Sequence, residues 1–251
     1  MGRYCVIGEH LPHTKSKEIH ELFGCEPYEV VELAKEDVGK LLTSKYYDGM
    51  NVTIPYKQLV IPYLNYIDDI AKGIGAINTI VLRDGLLYGY NTDVGGMQYA
   101  MQKGGIELTN KEVLILGTGG TSKTAEYVAK LANAKSISIC GRNGKINYSN
   151  VLDVCKDTQV IINTTPVGMF PNANAMPLNP TKFSKLEGVF DAIYNPIETK
   201  FVSTAKKNEI NGTNGLRMLV EQARLAEELF FDKKIDQEET ERIYKIIAKT
   251  F

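Results

Sequence analysis

A glycine-rich turn lies where an apolar run meets a helix. The residues Gly117-Thr118-Gly119-Gly120-Thr121-Ser122 follow Val113 to Leu116 and open a helix predicted over 121–133. The first amides of a helix lack partners within it and can bind an anion such as a phosphate. Glycine allows the sharp bend and the close approach of backbone to a pyrophosphate. Ser122 replaces the third glycine of the usual Gly-x-Gly-x-x-Gly pattern, and a turn without a ligand is the alternative.

The residues after the next predicted strand select the nucleotide. NAD sites typically carry an acid there, about 20 residues after the glycines, because it bonds the ribose 2'-hydroxyl. No Asp or Glu occurs between Glu126 and Asp153, and Arg142 and Asn143 stand at the expected place. A guanidinium can pair with a 2'-phosphate and stack on adenine, which favours NADP over NAD or flavin. The alternative is a solvated Arg-Asn-Gly turn.

A reaction also needs a proton carrier, because a cofactor fold alone does not define one. Lys57 ends the segment Asn51-Val52-Thr53-Ile54-Pro55-Tyr56-Lys57, directly after a predicted strand. A lysine at the carboxyl end of a parallel strand faces the crevice where such sheets bind ligands. Asp93 ends Asn91-Thr92-Asp93 and begins the next helix. Taken alone, the two residues also fit an exposed lysine and a helix N-cap.

Alternating strands and helices must position these groups. In the first part, periodicity and Gly/Pro punctuation predict strands 4–7, 28–33 and 50–54, and helices ending near 23, over 36–45 and over 56–67 with a break at Pro62. A hairpin, 76–82 and 86–90, surrounds Asp84-Gly85 and precedes a helix over 94–103. In the second part the pattern predicts strands 112–116, 136–140, 158–163 and 188–193, followed by helices 216–231 and 237–249.

This order predicts an α/β protein with two α/β domains. Residues 1–95 plus 216–251 form a substrate domain around a mostly parallel sheet, to which the C-terminal helices return. Residues 96–215 form a Rossmann-type NADP-binding domain.

The balance of charge does not favour a strongly charged partner. The chain of 251 residues carries 29 basic and 30 acidic residues, which gives no support to binding of nucleic acid or a membrane surface. Four scattered cysteines and the absence of a signal-like start favour a reduced, cytoplasmic protein. The expected assembly is a monomer or a homodimer, and the sequence does not decide between them. His10, His13 and His20 fit no zinc spacing, so no metal is expected.

Several motifs in order resemble the shikimate dehydrogenase family. Besides the segment that ends at Lys57, the glycine turn and the turn at Arg142, the matching motifs are Gly75-Ala76-Ile77-Asn78-Thr79, Asn91-Thr92-Asp93, Asn163-Thr164-Thr165-Pro166-Val167-Gly168-Met169, Tyr194-Asn195-Pro196 and Gly215-Leu216-Arg217-Met218-Leu219-Val220-Glu221-Gln222-Ala223. Together they cover nearly the full chain.

The resemblance implies reversible, metal-free hydride transfer between NADPH and 3-dehydroshikimate, giving shikimate, in the cleft between the domains. Lys57 and Asp93 would be the catalytic pair, with Lys57 giving a proton to the developing alkoxide. Substrate binding falls to Thr14, Ser16, Thr53, Asn78, Tyr194 and Gln222. Cofactor binding falls to Gly117, Thr118, Gly119, Gly120, Thr121, Ser122, Arg142, Asn143, Thr164, Val167, Gly215 and Met218.

Two departures from the family pattern concern the segment that would bind the substrate carboxylate. Thr14 stands where the family commonly has serine, and Lys17 stands where it has proline. The threonine keeps the hydroxyl but adds a methyl that restricts its rotamer. Two other functions stay open at this point: a quinate or dual quinate/shikimate dehydrogenase that uses NAD, and a non-catalytic ligand sensor on the same fold.

Overall fold

The computed structural model describes residues 2–12 and 14–251. The chain divides into two compact units, each with its own sheet. The first unit contains the chain up to Asp93 together with Val220–Ile247, and the second contains Val94–Leu219 with Ala248–Phe251.

The first unit is built on a six-stranded mixed sheet. Its strands are β1 (Tyr4–Gly8), β2 (Tyr28–Glu32), β3 (Gly49–Val52), β4 (Tyr66–Ile67), β5 (Thr79–Arg83) and β6 (Leu86–Tyr90), in the order β2-β1-β3-β5-β6-β4. The strand β1 is parallel to β2 and β3, whereas β5 runs antiparallel to β3 and β6. Helices α1 (Ser16–Leu22), α2 (Val38–Ser44) and α3 (Asp69–Ile74) connect the strands. Ile7, Leu42, Met50, Ile77 and Ile80 are buried in the core.

The predicted hairpin is confirmed. Asp84 and Gly85 both have positive φ, 49° and 75°, as a two-residue hairpin turn requires, and β5 pairs with β6 from Thr79 to Arg83. The first strand starts at Thr79 rather than at residue 76, so Ala76, Ile77 and Asn78 form the approach to the sheet.

The helix predicted over 56–67 is wrong. The chain there forms turns, a short 3-10 helix (Ile61–Tyr63) and then the edge strand β4. Proline at position 62 cannot continue a helical hydrogen-bond ladder. Asn65 instead pairs with the neighbouring strand, where its N–H donates to the Leu87 carbonyl at 2.9 Å. Lys57 therefore lies in a turn, and its carbonyl accepts the Ile77 N–H at 2.8 Å.

The second unit is built on a five-stranded parallel sheet. Its strands are β7 (Glu112–Leu116), β8 (Ser136–Cys140), β9 (Val160–Asn163), β10 (Gly188–Asp191) and β11 (Asn211–Asn214), in the order β11-β10-β9-β7-β8. The associated helices are α4 (Asp93–Lys103), α5 (Gly120–Leu131), α6 (Val151–Val154) and α7 (Lys200–Lys207). The sequence patterns do not indicate α3, α6, α7 or β11.

Two helices complete the chain. Helix α8 (Leu216–Phe231) has the predicted bounds, and α9 (Glu238–Ile247) is shorter than predicted, because the last turn, Ala248–Thr250, is a 3-10 helix. In the first unit, buried Glu221 accepts hydrogen bonds from Arg224 and from Thr240, which joins α8 to α9.

Within the described part of the chain, no helix combines the length and apolar character needed to cross a membrane. The four cysteines are buried free thiols. Burial raises the pKa of the thiols of Cys5, Cys25 and Cys140.

Candidate active site

Lys57 and Asp93 form an ion pair in the first unit. The Lys57 Nζ atom donates to Asp93 Oδ2 at 2.6 Å, and the two side chains are 24% and 14% exposed. Lys57 follows β3, and Asp93 is the first residue of α4. The Asp93 N–H donates to Asn91 Oδ1 at 3.1 Å, which fixes the start of the helix. A partly exposed ammonium is thus held in a defined position without losing access to a ligand.

Asn78 braces this pair through its side-chain amide. The Thr92 N–H donates to Asn78 Oδ1 at 2.7 Å, and since an N–H can only donate, Nδ2 must face the opposite way. Nδ2 donates to Asp93 Oδ1 at 2.9 Å. It also lies 3.5 Å from Gln222 Oε1, on α8. The fold therefore brings together four of the predicted site residues, Lys57, Asp93, Asn78 and Gln222.

A second layer of polar residues lies behind Asn78. The buried Asn51 on β3 donates through Nδ2 to the Asn78 carbonyl at 3.3 Å and to Thr79 Oγ1 at 3.2 Å. Thr79 donates to Asn78 Oδ1 at 3.0 Å. Sequence reasoning did not assign roles to Asn51 and Thr79. One signal was available in the sequence: each of the two residues is a polar residue in a mostly apolar strand, β3 or β5.

The hydroxyls predicted to bind a carboxylate lie where the loop after β1 meets α1, because Thr14 ends that loop and Ser16 begins the helix. Thr14 Oγ1 donates to Ser16 Oγ at 3.1 Å, and the Ser16 N–H donates back to Thr14 Oγ1 at 3.2 Å. Thr53 lies beside the end of β1, where its N–H donates to the Ile7 carbonyl at 3.0 Å. His13 is outside the described residues. Thr14 and Ser16 therefore form one partly buried pair, with Thr53 on the neighbouring strand end.

The glycine turn in the second unit has the shape of a phosphate cradle. Gly117 has φ +109°, and a Cβ there would lie 2.6 Å from Thr164 Oγ1, so only glycine fits. Gly119 is the N-cap of α5 and has no side chain to occupy the first amides. A Cβ on Gly119 or on Gly120 would meet no atom within 4 Å. The N-terminus of this 12-residue helix consequently faces open space, with room for an anion.

The turn that carries Arg142 adjoins the glycine turn. The Gly117 N–H donates to the Cys140 carbonyl at 2.9 Å, and a Cβ on Gly141 would lie 2.8 Å from Thr118 Cγ2. Arg142 and Asn143 follow directly and are exposed. Thr164 closes the other side, where its hydroxyl donates to the Leu116 carbonyl at 2.6 Å. An open helix start beside an exposed guanidinium is an arrangement that can bind the phosphates of a dinucleotide.

A buried carboxylate supports the loop after β9. Asp191 accepts hydrogen bonds from Asn163 Nδ2 at 2.9 Å, from the Ile193 N–H and from the Thr199 hydroxyl. Asn163 in turn accepts from the N–H and hydroxyl of Thr165, beside Thr164. Burial raises the pKa of the Asp191 carboxyl to about 6 despite these bonds. Sequence reasoning did not assign a role to Asp191.

Replacing Asp191 by asparagine should change how stability depends on pH. Between its ordinary pKa of 3.8 and about 6, the unfolded chain releases this proton while the folded chain keeps it. The wild type therefore loses up to about 3 kcal/mol of unfolding free energy over this range, and the loss persists above pH 6. The Asp191→Asn variant should lack that loss.

Urea unfolding at pH 4, 5, 6 and 7, followed by circular dichroism, measures the effect. The unfolding free energy of Asp191→Asn minus that of wild type should rise with pH. Asp157→Asn is the control with opposite sign, because Lys185 lowers the pKa of that exposed carboxyl. A flat difference for Asp191→Asn would show that the group titrates normally.

The remaining predicted residues lie in the segments that follow β9, β10 and β11. Tyr194 is partly buried, packs edge-on against Phe251 at 5.9 Å between ring centroids, and has a phenol pKa raised by burial. A Cβ on Gly215 would overlap the Ala192 carbonyl oxygen, so a larger residue would displace the backbone. Met218 is on the first turn of α8, and Val167 is half-exposed in the loop after β9. Tyr194 and the glycine turn thus follow different strands of the same sheet, β10 and β7.

Comparison with known proteins identifies the family of this chain. The family model described as the shikimate dehydrogenase substrate binding domain matches residues 6–80. A shikimate dehydrogenase (NADP(+)) from Clostridium beijerinckii is 35% identical over 271 aligned residues, covering 100% of both chains. This chain belongs to the shikimate dehydrogenase family, a family of oxidoreductases.

Solved structures of the family have the same fold. A chorismate mutase/shikimate 5-dehydrogenase fusion protein from Clostridium acetobutylicum aligns with 100% of this chain and 98% of its own, at a TM-score of 0.94 and 32% identity. Shikimate 5-dehydrogenase from Thermus thermophilus, solved in complex with NADP(H) and shikimate, covers 98% of this chain and 99% of its own, at a TM-score of 0.85 and 27% identity. The predicted two-domain Rossmann-type α/β fold is confirmed.

Proposed function

We propose that this protein catalyses the NADP-dependent, reversible reduction of 3-dehydroshikimate to shikimate. The observation that carries the proposal is the Lys57–Asp93 ion pair, braced by Asn78, in a member of the shikimate dehydrogenase family. The substrate-domain match over residues 6–80 supports assigning substrate binding to the first unit. The glycine turn and Arg142 support assigning NADP to the second unit.

Lys57 is proposed as the proton carrier. When bound, NADPH supplies the hydride to the carbonyl carbon. The Lys57 ammonium then gives a proton to the carbonyl oxygen as negative charge develops there, and the neutral amine that remains regains a proton from solvent. In the reverse direction the neutral amine accepts the hydroxyl proton. Asp93 Oδ2 accepts from Nζ at 2.6 Å, and a neutral amine still has N–H groups to donate, so Asp93 is proposed to orient Lys57 before and after proton transfer.

The substrate hydroxyls and carboxylate are assigned to the remaining polar groups of the first unit. Gln222 lies within 3.5 Å of Asn78 Nδ2 and Thr92 Oγ1, so its amide is placed beside the catalytic pair. Asn78 then serves two purposes, bonding the ring hydroxyls and orienting Asp93. The paired hydroxyls of Thr14 and Ser16 suit a carboxylate, with Thr53 adding a third. Tyr194 is assigned to the substrate through the family resemblance.

The glycine turn, Arg142 and the family resemblance support the assignment of the cofactor residues. Gly117, Thr118, Gly119, Gly120, Thr121 and Ser122 would hold the pyrophosphate through backbone amides at the start of α5. Arg142 and Asn143 would bind the 2'-phosphate, and Thr164 and Val167 would border the bound dinucleotide. Gly215 and Met218, at the start of α8, are assigned to the nicotinamide.

A matrix of two substrates and two cofactors tests the proposal. The initial rate at which the absorbance of the reduced nicotinamide increases is measured with shikimate or quinate and with NADP+ or NAD+. The proposal expects the highest kcat/KM for shikimate with NADP+. A preference for quinate with NAD+ would identify the rival dehydrogenase, and tight shikimate binding without hydride transfer would identify a sensor.

A further inference from the structure

Tyr28 on β2 is a fully buried tyrosine whose hydroxyl bonds the side chain of Asn51. Tyr28 Oη donates to Asn51 Oδ1 at 2.7 Å. The amide orientation of Asn51 is unambiguous, because its Nδ2 faces the Asn78 carbonyl, which can only accept. The tyrosine hydroxyl therefore completes the hydrogen bonding of a residue that lies directly behind the site.

From Tyr28 the hydrogen bonds run in one direction to the catalytic pair. Asn51 Nδ2 donates to Thr79 Oγ1 at 3.2 Å, and Thr79 donates to Asn78 Oδ1 at 3.0 Å. Asn78 Nδ2 then donates to Asp93 Oδ1, and Asp93 Oδ2 holds Lys57. Each group in such a series fixes the orientation of the next, so the series acts as a unit.

The ring of Tyr28 is itself held in place by a buried pair. The His20 ring stacks on Tyr28 with 4.2 Å between centroids and 2° between planes. His20 Nδ1 bonds Glu227 Oε1 on α8, the helix that also carries Gln222, and both side chains are fully buried. His20 Nε2 and Glu227 Oε2 have no hydrogen-bond partner within the described part of the chain. The His20 ring, held by Glu227, therefore restricts the movement of the Tyr28 ring.

We propose that Tyr28, fixed by the His20–Glu227 pair, is a positioning residue that orients the Lys57–Asp93 pair through Asn51, Thr79 and Asn78. This inference rests on the proposed roles of Lys57 and Asp93. It extends the functional assembly from the site itself to β2, α1 and the distal half of α8. Tyr28 touches neither the proposed substrate nor the cofactor.

The test compares Tyr28→Phe with Tyr47→Phe. Tyr47 is a matched control because it is also a buried tyrosine of the first unit, and its hydroxyl donates to Glu29 Oε2 at 2.6 Å, away from the site. Two readouts are taken on each variant and on wild type. The first is the rate at which Lys57 is methylated by formaldehyde and a borane, measured by mass spectrometry, which needs no activity. The second is kcat and KM, with the solvent deuterium isotope effect on kcat.

In Tyr28→Phe we expect Lys57 to be methylated severalfold faster, because Asp93 no longer holds it as firmly. We expect kcat to fall about tenfold, with KM for shikimate within about twofold of wild type and a larger solvent isotope effect. Tyr47→Phe should match wild type in all these values. The inference would be overturned if Tyr28→Phe had the same Lys57 methylation rate and the same kcat as Tyr47→Phe.

The same experiment also covers an inactive wild type and a Tyr28→Phe variant that does not fold. An inactive wild type would refute the proposed function, and the methylation rates alone would then decide whether Tyr28 positions Lys57. If Tyr28→Phe does not fold, Thr79→Val replaces it, because valine keeps the shape but removes the hydroxyl that links the Asn51 amide to Asn78 Oδ1. The separate bond from Asn51 Nδ2 to the Asn78 backbone carbonyl stays, and it does not orient the Asn78 side chain. Wild-type values for a folded Thr79→Val would then overturn the inference.

Discussion

Replacing Lys57 with alanine should lower kcat by about 10²–10⁴-fold, the range that a positioned acid-base group contributes. NADPH affinity should stay within about twofold of wild type, because the proposed cofactor residues all lie elsewhere in the chain. Steady-state rates with shikimate and NADP+ give kcat, and fluorescence titration with NADPH gives affinity.

Chemical rescue separates loss of a proton carrier from distortion of the site. Small primary amines such as ethylamine should partly restore the Lys57→Ala rate, because they can occupy the space left beside Asp93. They should not restore Lys57→Met, whose side chain fills that space without a proton. Lys72→Ala is the control, since Lys72 is exposed in the same unit and pairs with Asp69. An unchanged turnover in Lys57→Ala would refute the role of Lys57.

Replacing Arg142 with alanine should weaken NADP+ binding by about 10–100-fold, the value of a charge-assisted hydrogen bond to a phosphate. Binding of NAD+, which lacks the 2'-phosphate, should change by no more than about threefold. The preference between the two cofactors should therefore shrink chiefly through the loss of NADP+ affinity. Calorimetric titration of wild type and variant with each nucleotide measures both affinities.

Smaller ligands locate the effect within the cofactor. Binding of 2',5'-ADP should weaken in Arg142→Ala as much as binding of NADP+, whereas binding of 5'-ADP should not change. Lys145→Ala, in the same exposed turn, is the matched control for a nonspecific loss of positive charge. Equal weakening of NADP+ and NAD+ would place Arg142 at the pyrophosphate instead.

The fold was largely predictable where the chain carries strong local signals. The glycine turn, the hairpin at Asp84-Gly85 and the bounds of α8 follow from local sequence, because turn chemistry and helical periodicity act over a few residues. Helix α3 also has such signals: Asp68 caps it and Gly75, with φ +69°, ends it. Helix α3 was nevertheless not predicted, although the helix expected over 56–67 ends before Asp68.

Other features depend on contacts that local sequence does not contain. The strand β11 has the polar sequence Asn-Gly-Thr-Asn and exists because β10 pairs with it. Lys57 and Asp93 were singled out from strand ends and a resemblance, but their 2.6 Å contact depends on the whole sheet. His20 and Glu227 are 207 positions apart in the sequence, so the hydrogen bond between them could not be predicted from either local segment. Residues that support the site were missed for this reason, whereas its central residues were not.

The burial of all four thiols makes the protein suitable for attachment of a reporter dye. A maleimide reacts with the thiolate, and burial both raises the pKa of Cys5, Cys25 and Cys140 and blocks approach of the reagent. A cysteine introduced at Ile54, which is 70% exposed and three positions before Lys57, would then be the preferred site of labelling. Because the chain contains no tryptophan, little intrinsic emission would compete with such a dye.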